Sequence, residues 1–478
     1  MYLNGGEGAT IAHAPCCNGP QTSFGCFESA VKNGIDSIQS LTQATTDENG
    51  PKLYHGEILD FVSGHPCMYK YIPPNNIDTT SPLESQPTAD FLPLIVLIPG
   101  GAHNARIFYG GHKGYNPANH LTFWLTKLGF PVLAISYPLE SEPTLMPDVS
   151  PGFRISTWGR QAAAVTHKVI NSSASLSGRE ILLVGWSMGG RLLAPYSEAM
   201  ANIYEHHVGL FVSLAATPGV AGLRPPPPGI TQTARGYATC DGLLEIFVRQ
   251  IAGVIPKQLY ETEYYGHTPV SLHGWRWSYD PSTGSLVSDR GGSEEDASPT
   301  GDDFSILPWT AAVVGTESQD ARHVLTDRAA WENIGVQRLA SIWEHRERLR
   351  LKSRITKRRQ DASFGTKDDD KISRSNDARC SPDSGSARRI LQNGVGCSGQ
   401  ERTGPGSTTT RSQWDEYSSF VLETMPGALS CRVPGNHFFF LGAEGAQKTA
   451  ESIAKLWRKR CDLDQAFRSI LTGPRGLR

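Results

Sequence analysis

A serine hydroxyl becomes a useful nucleophile when a neighbouring base takes its proton, and that base is most often a histidine oriented by a carboxylate. In this chain of 478 residues the serine best placed for such chemistry is Ser187, within Gly185-Trp186-Ser187-Met188-Gly189. With 49 glycines in the chain, a bare G-x-S-x-G pattern is weak evidence. Its surroundings say more. Ile181-Leu182-Leu183-Val184 reads as a strand apolar on both faces, and a helical pattern follows the glycines at once. A sharp reversal at that junction forces the apex residue into a strained backbone, and the residues two before and two after it must lack a Cβ. Gly185 and Gly189 meet that need. Ser187 would then stand above the sheet at a helix N-terminus, where unpaired N–H groups favour negative charge.

The partners follow from position. Of the 14 histidines, only His437 among those after Ser187 falls where a base is needed. The stretch ALSCRVPGNHFFFLG (428–442) reads as a short strand, a Pro-Gly turn and then the histidine, with a closing helix beyond it. For the acid, WTAAVVGTESQD (309–320) offers Glu317 and Asp320. The acid commonly sits three residues past a strand-ending glycine such as Gly315, but Ser318 occupies that place. Glu317 is one residue short with a longer side chain, and Asp320 is two beyond. The reading favours Glu317 narrowly and keeps Asp320 open, with Asp327 and Asp415 as outsiders. A tetrahedral intermediate also needs two N–H donors for its oxyanion. Met188, just after the nucleophile, supplies one. The turn Gly100-Gly101-Ala102-His103 supplies the other, from Gly101 or Ala102.

The elements that must hold these residues are legible as alternation. GEILDFVSGHPCMYKYIP (56–73) reads as a hairpin. Buried strands are expected over 92–101, 130–138, 209–219 and 309–318, and helices over 120–129 and 157–170. Strand and helix in this rhythm predict a mostly parallel central sheet with helices on both faces. Two segments break it. Residues 220–305 open with four prolines, carry Tyr260, Tyr264, Tyr265, Trp275, Trp277 and Tyr279, and end in an acidic, glycine-rich run; they read as an insertion with its own partial structure. Residues 351–412 lack apolar periodicity and are expected to be disordered, either as a linker-like insertion or as translated intron. Residues 1–52 read as a poorly ordered tail.

Strand–PGGAH, strand–GWSMGG, strand–GTESQD and strand–PGNHFFF, in the order serine, acid, histidine, resemble the α/β-hydrolase fold family. PGNHFFF is loosely similar to the histidine loop of thioesterase-like members, in the direction of the fungal hydrolases of secondary metabolism. The resemblance implies a core over 53–219, 306–350 and 413–478, with 220–305 as a lid over the site. It implies a serine hydrolase that cleaves an ester or thioester through an acyl-enzyme, with Ser187 as nucleophile, His437 as base, and Glu317 or Asp320 as acid. Alternatives are an acyltransferase or chain-releasing thioesterase of a biosynthetic pathway, and a non-catalytic binding protein on the same fold. The sequence departs from the family pattern in the acid's spacing and in the long tract between acid and histidine. The lid aromatics suit an apolar acyl substrate or, equally, the lid's own small core.

The resemblance implies a small-molecule acyl substrate as partner, and composition points to no macromolecular one. Net charge of −2 gives no general pull toward nucleic acid or anionic membrane. RERLRLKSRITKRR (346–359) is strongly basic but lacks interleaved aromatics, and reads as a solvated segment. No apolar run approaches the roughly 20 residues of a membrane span. The N-terminus has neither a basic nor an apolar leader region, so a cytoplasmic location is expected. The nine cysteines have no metal-ligand spacing and read as free thiols. No phosphate loop or metal cluster is legible, and no cofactor is expected.

Overall fold

The computed structural model describes residues 52–75, 92–149, 153–218, 231–239, 241–269, 272, 277–280, 285–288, 304–321, 323–364 and 408–472. The chain enters with the antiparallel pair β1 (Glu57–Val62) and β2 (His65–Ile72), turned at Ser63-Gly64 with both residues at positive φ. It continues through β3 (Leu94–Ile98), α1 (Leu121–Lys127), β4 (Val132–Ser136), α2 (Ile155–Ser172), β5 (Ile181–Trp186), α3 (Leu193–Asn202) and β6 (Val208–Leu214). The expected insertion follows and contains helices α4 (Asp241–Gln250) and α5 (Lys257–Glu263). The core resumes with β7 (Trp309–Gly315), α6 (Arg328–Phe364), α7 (Thr408–Ser419), β8 (Ser430–Val433) and α8 (Ala443–Thr472).

These eight strands form one sheet in the order β1-β2-β4-β3-β5-β6-β7-β8. From β4 to β8 every pairing is parallel; only β1 with β2 and β2 with β4 run antiparallel. This is the architecture the sequence predicts, a mostly parallel sheet with helices on both faces. The period-two alternation of the strands divides the core. Ile181 and Leu183 of β5 pack with Trp158 and Val165 of α2 and Tyr196 of α3. Leu182 and Val184 face the other way, into a cluster with Ile453, Leu456 and Trp457 of α8. Because both faces are covered, β3, β5, β6 and β7 are buried along their whole length. Each such aliphatic side chain contributes about 1.5–3 kcal/mol by leaving water.

One expectation is corrected. Residues 351–364 are not irregular: they prolong α6, which runs 37 residues, and residues 408–412 begin α7. Positions 351–360 are all exposed, so this stretch of helix has no apolar face to leave a periodic trace in the sequence. The basic run 346–359 accordingly lies on α6, carried by a helix rather than a coil. The remainder of that tract, 365–407, and the tail, 1–51, lie outside the described residues, as does Trp275. Cys67, Cys431 and Cys461 are free thiols. Among the described residues no helix is long and apolar enough to cross a membrane.

Candidate active site

The site is built around the turn after β5. Ser187 has φ +50°, a left-handed conformation that costs a serine free energy and is held here by the strand before it and the helix after it. The flanking glycines are sterically required. A Cβ on Gly185 would lie 2.8 Å from the Gly189 carbonyl oxygen, and one on Gly189 would lie 2.9 Å from that of Ile98. Gly100 is needed too, since its Cβ would come within 2.8 Å of the Ser187 Cβ. The helix does not begin in α form at once: Ser187–Leu192 is a tight 3₁₀ stretch that leads into α3. Met188 lies in its first turn, where a backbone N–H has no acceptor within the helix.

His437 is brought over this turn by a laced pair of loops. The Trp186 indole N–H, one residue before the serine, donates to the His437 carbonyl at 3.1 Å, and the two rings pack 5.4 Å apart. Thr316 and Glu317 both donate their backbone N–H to the Gly435 carbonyl, at 3.0 and 3.1 Å. A Cβ on Gly315 would strike that same oxygen at 2.6 Å, so the closeness of the two loops depends on a glycine there. The His437 Nδ1–H donates to Asp320 Oδ1 at 3.1 Å, and both side chains are buried.

Of the two carboxylates left open by the spacing, Asp320 is the one at the imidazole, and the narrow preference for Glu317 is corrected. Glu317 is exposed, and its backbone amide, not its carboxylate, meets the histidine loop. A 3₁₀ turn, Ser318–Asp320, curls the chain back after β7 and brings Asp320 under the ring. Of the outsiders, Asp327 is buried one layer further out, where its Oδ2 lies 2.6 Å from His323 Nδ1; Asp415 lies on α7. His323 stacks on His437 with ring centroids 4.8 Å apart, and its Nε2 is 3.7 Å from Asp320 Oδ1. Sequence reasoning passed over His323 because a lone histidine before a helix carries no spacing signal.

The turn after β3 separates the two oxyanion candidates. Ala102, at φ +65°, already donates its N–H to Thr268 Oγ1 at 2.7 Å, and its carbonyl accepts from Gly266 at 3.0 Å. Gly101 lies against Met188, whose Sδ would be 3.5 Å from a Cβ at Gly101. The Gly101 carbonyl accepts from His103 Nδ1 at 2.7 Å, and that of Gly100 from the Tyr137 hydroxyl at 2.9 Å. A carbonyl can only accept, so His103 Nδ1 carries the proton. Burial lowers the pKa of His103 to about 3, so the ring is neutral and its Nε2 accepts from the Tyr260 hydroxyl at 2.5 Å. Tyr260, Gly266 and Thr268 all belong to the insertion. Tyr260, Tyr264 and Tyr265 are buried there, which favours the reading of these aromatics as packing.

Beside the histidine loop a cavity of about 220 Å³ is lined by Ile251, Val254, Phe438, Phe439, Leu441 and Lys448, among others.

The sequence model of the alpha/beta hydrolase family matches residues 95–348, more than half of the chain. No curated protein matches it. Solved structures similar to it include the Pyrobaculum calidifontis esterase, 17% identical over 65% of this chain and 80% of that one, at a TM-score of 0.30. A bacterial heroin esterase is 16% identical over 65% and 80%, at a TM-score of 0.29. The mature lipase BlEst2 of Bacillus licheniformis is 16% identical over 32% of this chain, at a TM-score of 0.21, and the chain spans about half of its length, 49%. Likenesses this low do not bear on the site.

Proposed function

This chain belongs to the alpha/beta hydrolase family, and from that premise we propose that it is a serine hydrolase that cleaves a carboxylic ester or thioester of a small molecule. Ser187 Oγ attacks the acyl carbonyl while His437 Nε2 takes its proton. The charge that develops on the carbonyl oxygen is received by the N–H groups of Met188 and Gly101. His437 then returns the proton to the leaving alcohol or thiol, and a water activated by the same ring releases the acyl group from Ser187. Asp320 holds the ring with Nδ1 protonated, so that Nε2 presents its lone pair to the serine, and stabilises the imidazolium that forms.

One observation carries this reading: the indole of Trp186, next to the strained Ser187, is bonded to the backbone of His437, whose ring is bonded in turn to Asp320. Three distant stretches of chain are thereby gathered at one point, with the imidazole between the turn of the serine and the carboxylate. The choice of Gly101 over Ala102 rests on the N–H of Ala102 being engaged by Thr268. A fluorophosphonate reporter, followed by mass spectrometry of the labelled peptide, tests the proposal. Ser187 should be modified and Ser187→Ala should not react. The variant should also retain no more than about 10⁻³ of the p-nitrophenyl ester turnover, since loss of a triad member costs several orders of magnitude. Labelling elsewhere, or turnover near that of the parent in a folded Ser187→Ala, would exclude Ser187 as nucleophile.

A further inference from the structure

We propose that Asp320, His323 and His437 form a reversible site for a divalent cation of the zinc class, and that its occupation switches the nucleophile off. One ligand atom from each residue lies within 4.8 Å of the other two, and all three residues are buried. The measured edges are 3.1 Å from His437 Nδ1 to Asp320 Oδ1 and 3.7 Å from His323 Nε2 to the same oxygen. In a tetrahedral zinc site, bonds of about 2.0–2.2 Å separate neighbouring ligand atoms by roughly 3.3–3.5 Å. The two edges to Asp320 are therefore already near that spacing, the third edge is no longer than 4.8 Å, and a water would fill the fourth position.

Two further features fit a metal site better than a chance cluster. His323 Nδ1 lies 2.6 Å from Asp327 Oδ2, which puts a buried carboxylate behind the ring. The contact is one of distance without hydrogen-bond geometry, and Nε2 is the ring nitrogen of His323 that lies toward Asp320, as an outer carboxylate behind a ligating histidine would require. In addition, Asp320 Oδ2 is buried and has no hydrogen-bond partner among the described residues, so a second carboxylate oxygen is ready for a ligand. The His437 and His323 side chains retain 9% and 11% exposure. Two nitrogens and one carboxylate select zinc, copper or nickel over magnesium or calcium.

The consequence follows from the tautomer and rests on the reading of His437 as the base. A cation at His437 Nδ1 displaces the proton there; the neutral ring regains a proton from solvent at Nε2. Nε2–H cannot accept the Ser187 proton, so attack stops until a chelator removes the ion.

The test uses the full chain and zinc alone. Zinc affinity is read on Ser187→Ala, with or without a second change, by competition with a chromogenic chelator. His323→Gln should weaken it by about 10–100-fold, and Asp327→Asn, which leaves all three ligands in place, by about tenfold. In the otherwise unaltered protein, zinc should suppress ester turnover, EDTA should restore it and magnesium should have no effect; the turnover of His323→Gln, relative to its own zinc-free rate, should be insensitive to zinc. Equal zinc affinity in all the variants would overturn the site and assign the ion to the cysteines or elsewhere. Binding that depends on His323 but leaves turnover untouched would uphold the site and overturn the role given to His437.

Discussion

At the scale of single residues, the two acidic side chains after β7 divide their work between carboxylate and backbone. Asp320 meets the imidazole at 3.1 Å, while Glu317 contributes the N–H that ties its loop to Gly435. Asp320→Asn should therefore lower kcat by about 10³ to 10⁴, because an amide can hold the ring in the wrong tautomer. Glu317→Gln keeps the backbone bond and should cost less than about tenfold, within what a solvated charge near a site contributes. Parallel kcat measurements decide it, and the reverse ranking would return the acid to Glu317. Ser187 and His437 are legible in the sequence as candidates because each sits at a strand end marked by glycine or proline. The acid is not, because its reach depends on how the loop coils. The 3₁₀ turn Ser318–Asp320 shortens the path by an amount that residue counting does not register. His323 and the indole of Trp186 were invisible for a related reason: their partners lie more than 100 residues away, or on a loop whose position only the fold determines.

At the scale of elements, the insertion is tied to the turn beside the nucleophile. The end of α5 and the strand-like segment after it are bonded along the turn that follows β3. Asn104 donates to the Tyr264 carbonyl at 3.0 Å, Gly266 donates to Ala102, and the Ala102 N–H goes to Thr268. His103 completes the link, with Gly101 on one ring nitrogen and Tyr260 on the other. The segment that includes Tyr260 thus fixes the Gly101–Ala102 peptide, next in the chain to the one whose N–H is assigned to the oxyanion, and it should stay in place during turnover. Removing one hydroxyl from that chain leaves His103 Nε2 buried without a donor, and the ring loses the constraint that aims Nδ1 at Gly101. Tyr260→Phe should therefore reduce kcat by about tenfold with KM little changed, the pattern of an interaction felt mainly in the transition state. A rise in KM at constant kcat would place Tyr260 in substrate binding instead. Composition had allowed the lid aromatics to serve either substrate or core. Their hydrogen bonds to a turn more than 150 residues earlier are a tertiary fact with no local signature.

At the scale of the whole molecule, the fold was readable where burial on both faces imposes continuous apolar runs, and unreadable where a helix is exposed all round, as α6 is over 351–360. The same burial dictates how the molecule should respond to acid. His103 and His120 are enclosed, and desolvation lowers their pKa values to about 3 and about 4, below the ordinary value of 6.5. An unfolded chain takes up both protons as pH falls through about 6.5, and the folded chain takes up neither until far lower. Over that window the unfolded state binds more protons, so stability must fall with pH, by as much as about 1.4 kcal/mol per pH unit for each histidine. Glu180 acts in a lower window. Its hydrogen bonds to His207 and Arg460 outweigh partial desolvation and hold its pKa at about 2, against the ordinary 4.5. The clip that fastens α8 beside the start of β5 therefore contributes above pH 4.5 and is lost only as pH falls toward 2. Acid destabilisation should begin near pH 6.5 from buried neutral histidines, well before that ion pair is titrated. Urea unfolding followed from pH 7 to pH 5 tests this: His120→Gln, which keeps polarity without a titrating ring, should flatten the decline relative to the parent, and Glu180→Gln should leave its slope alone. A decline as steep in His120→Gln as in the parent would remove His120 from the account and shift the acid sensitivity to the carboxylates.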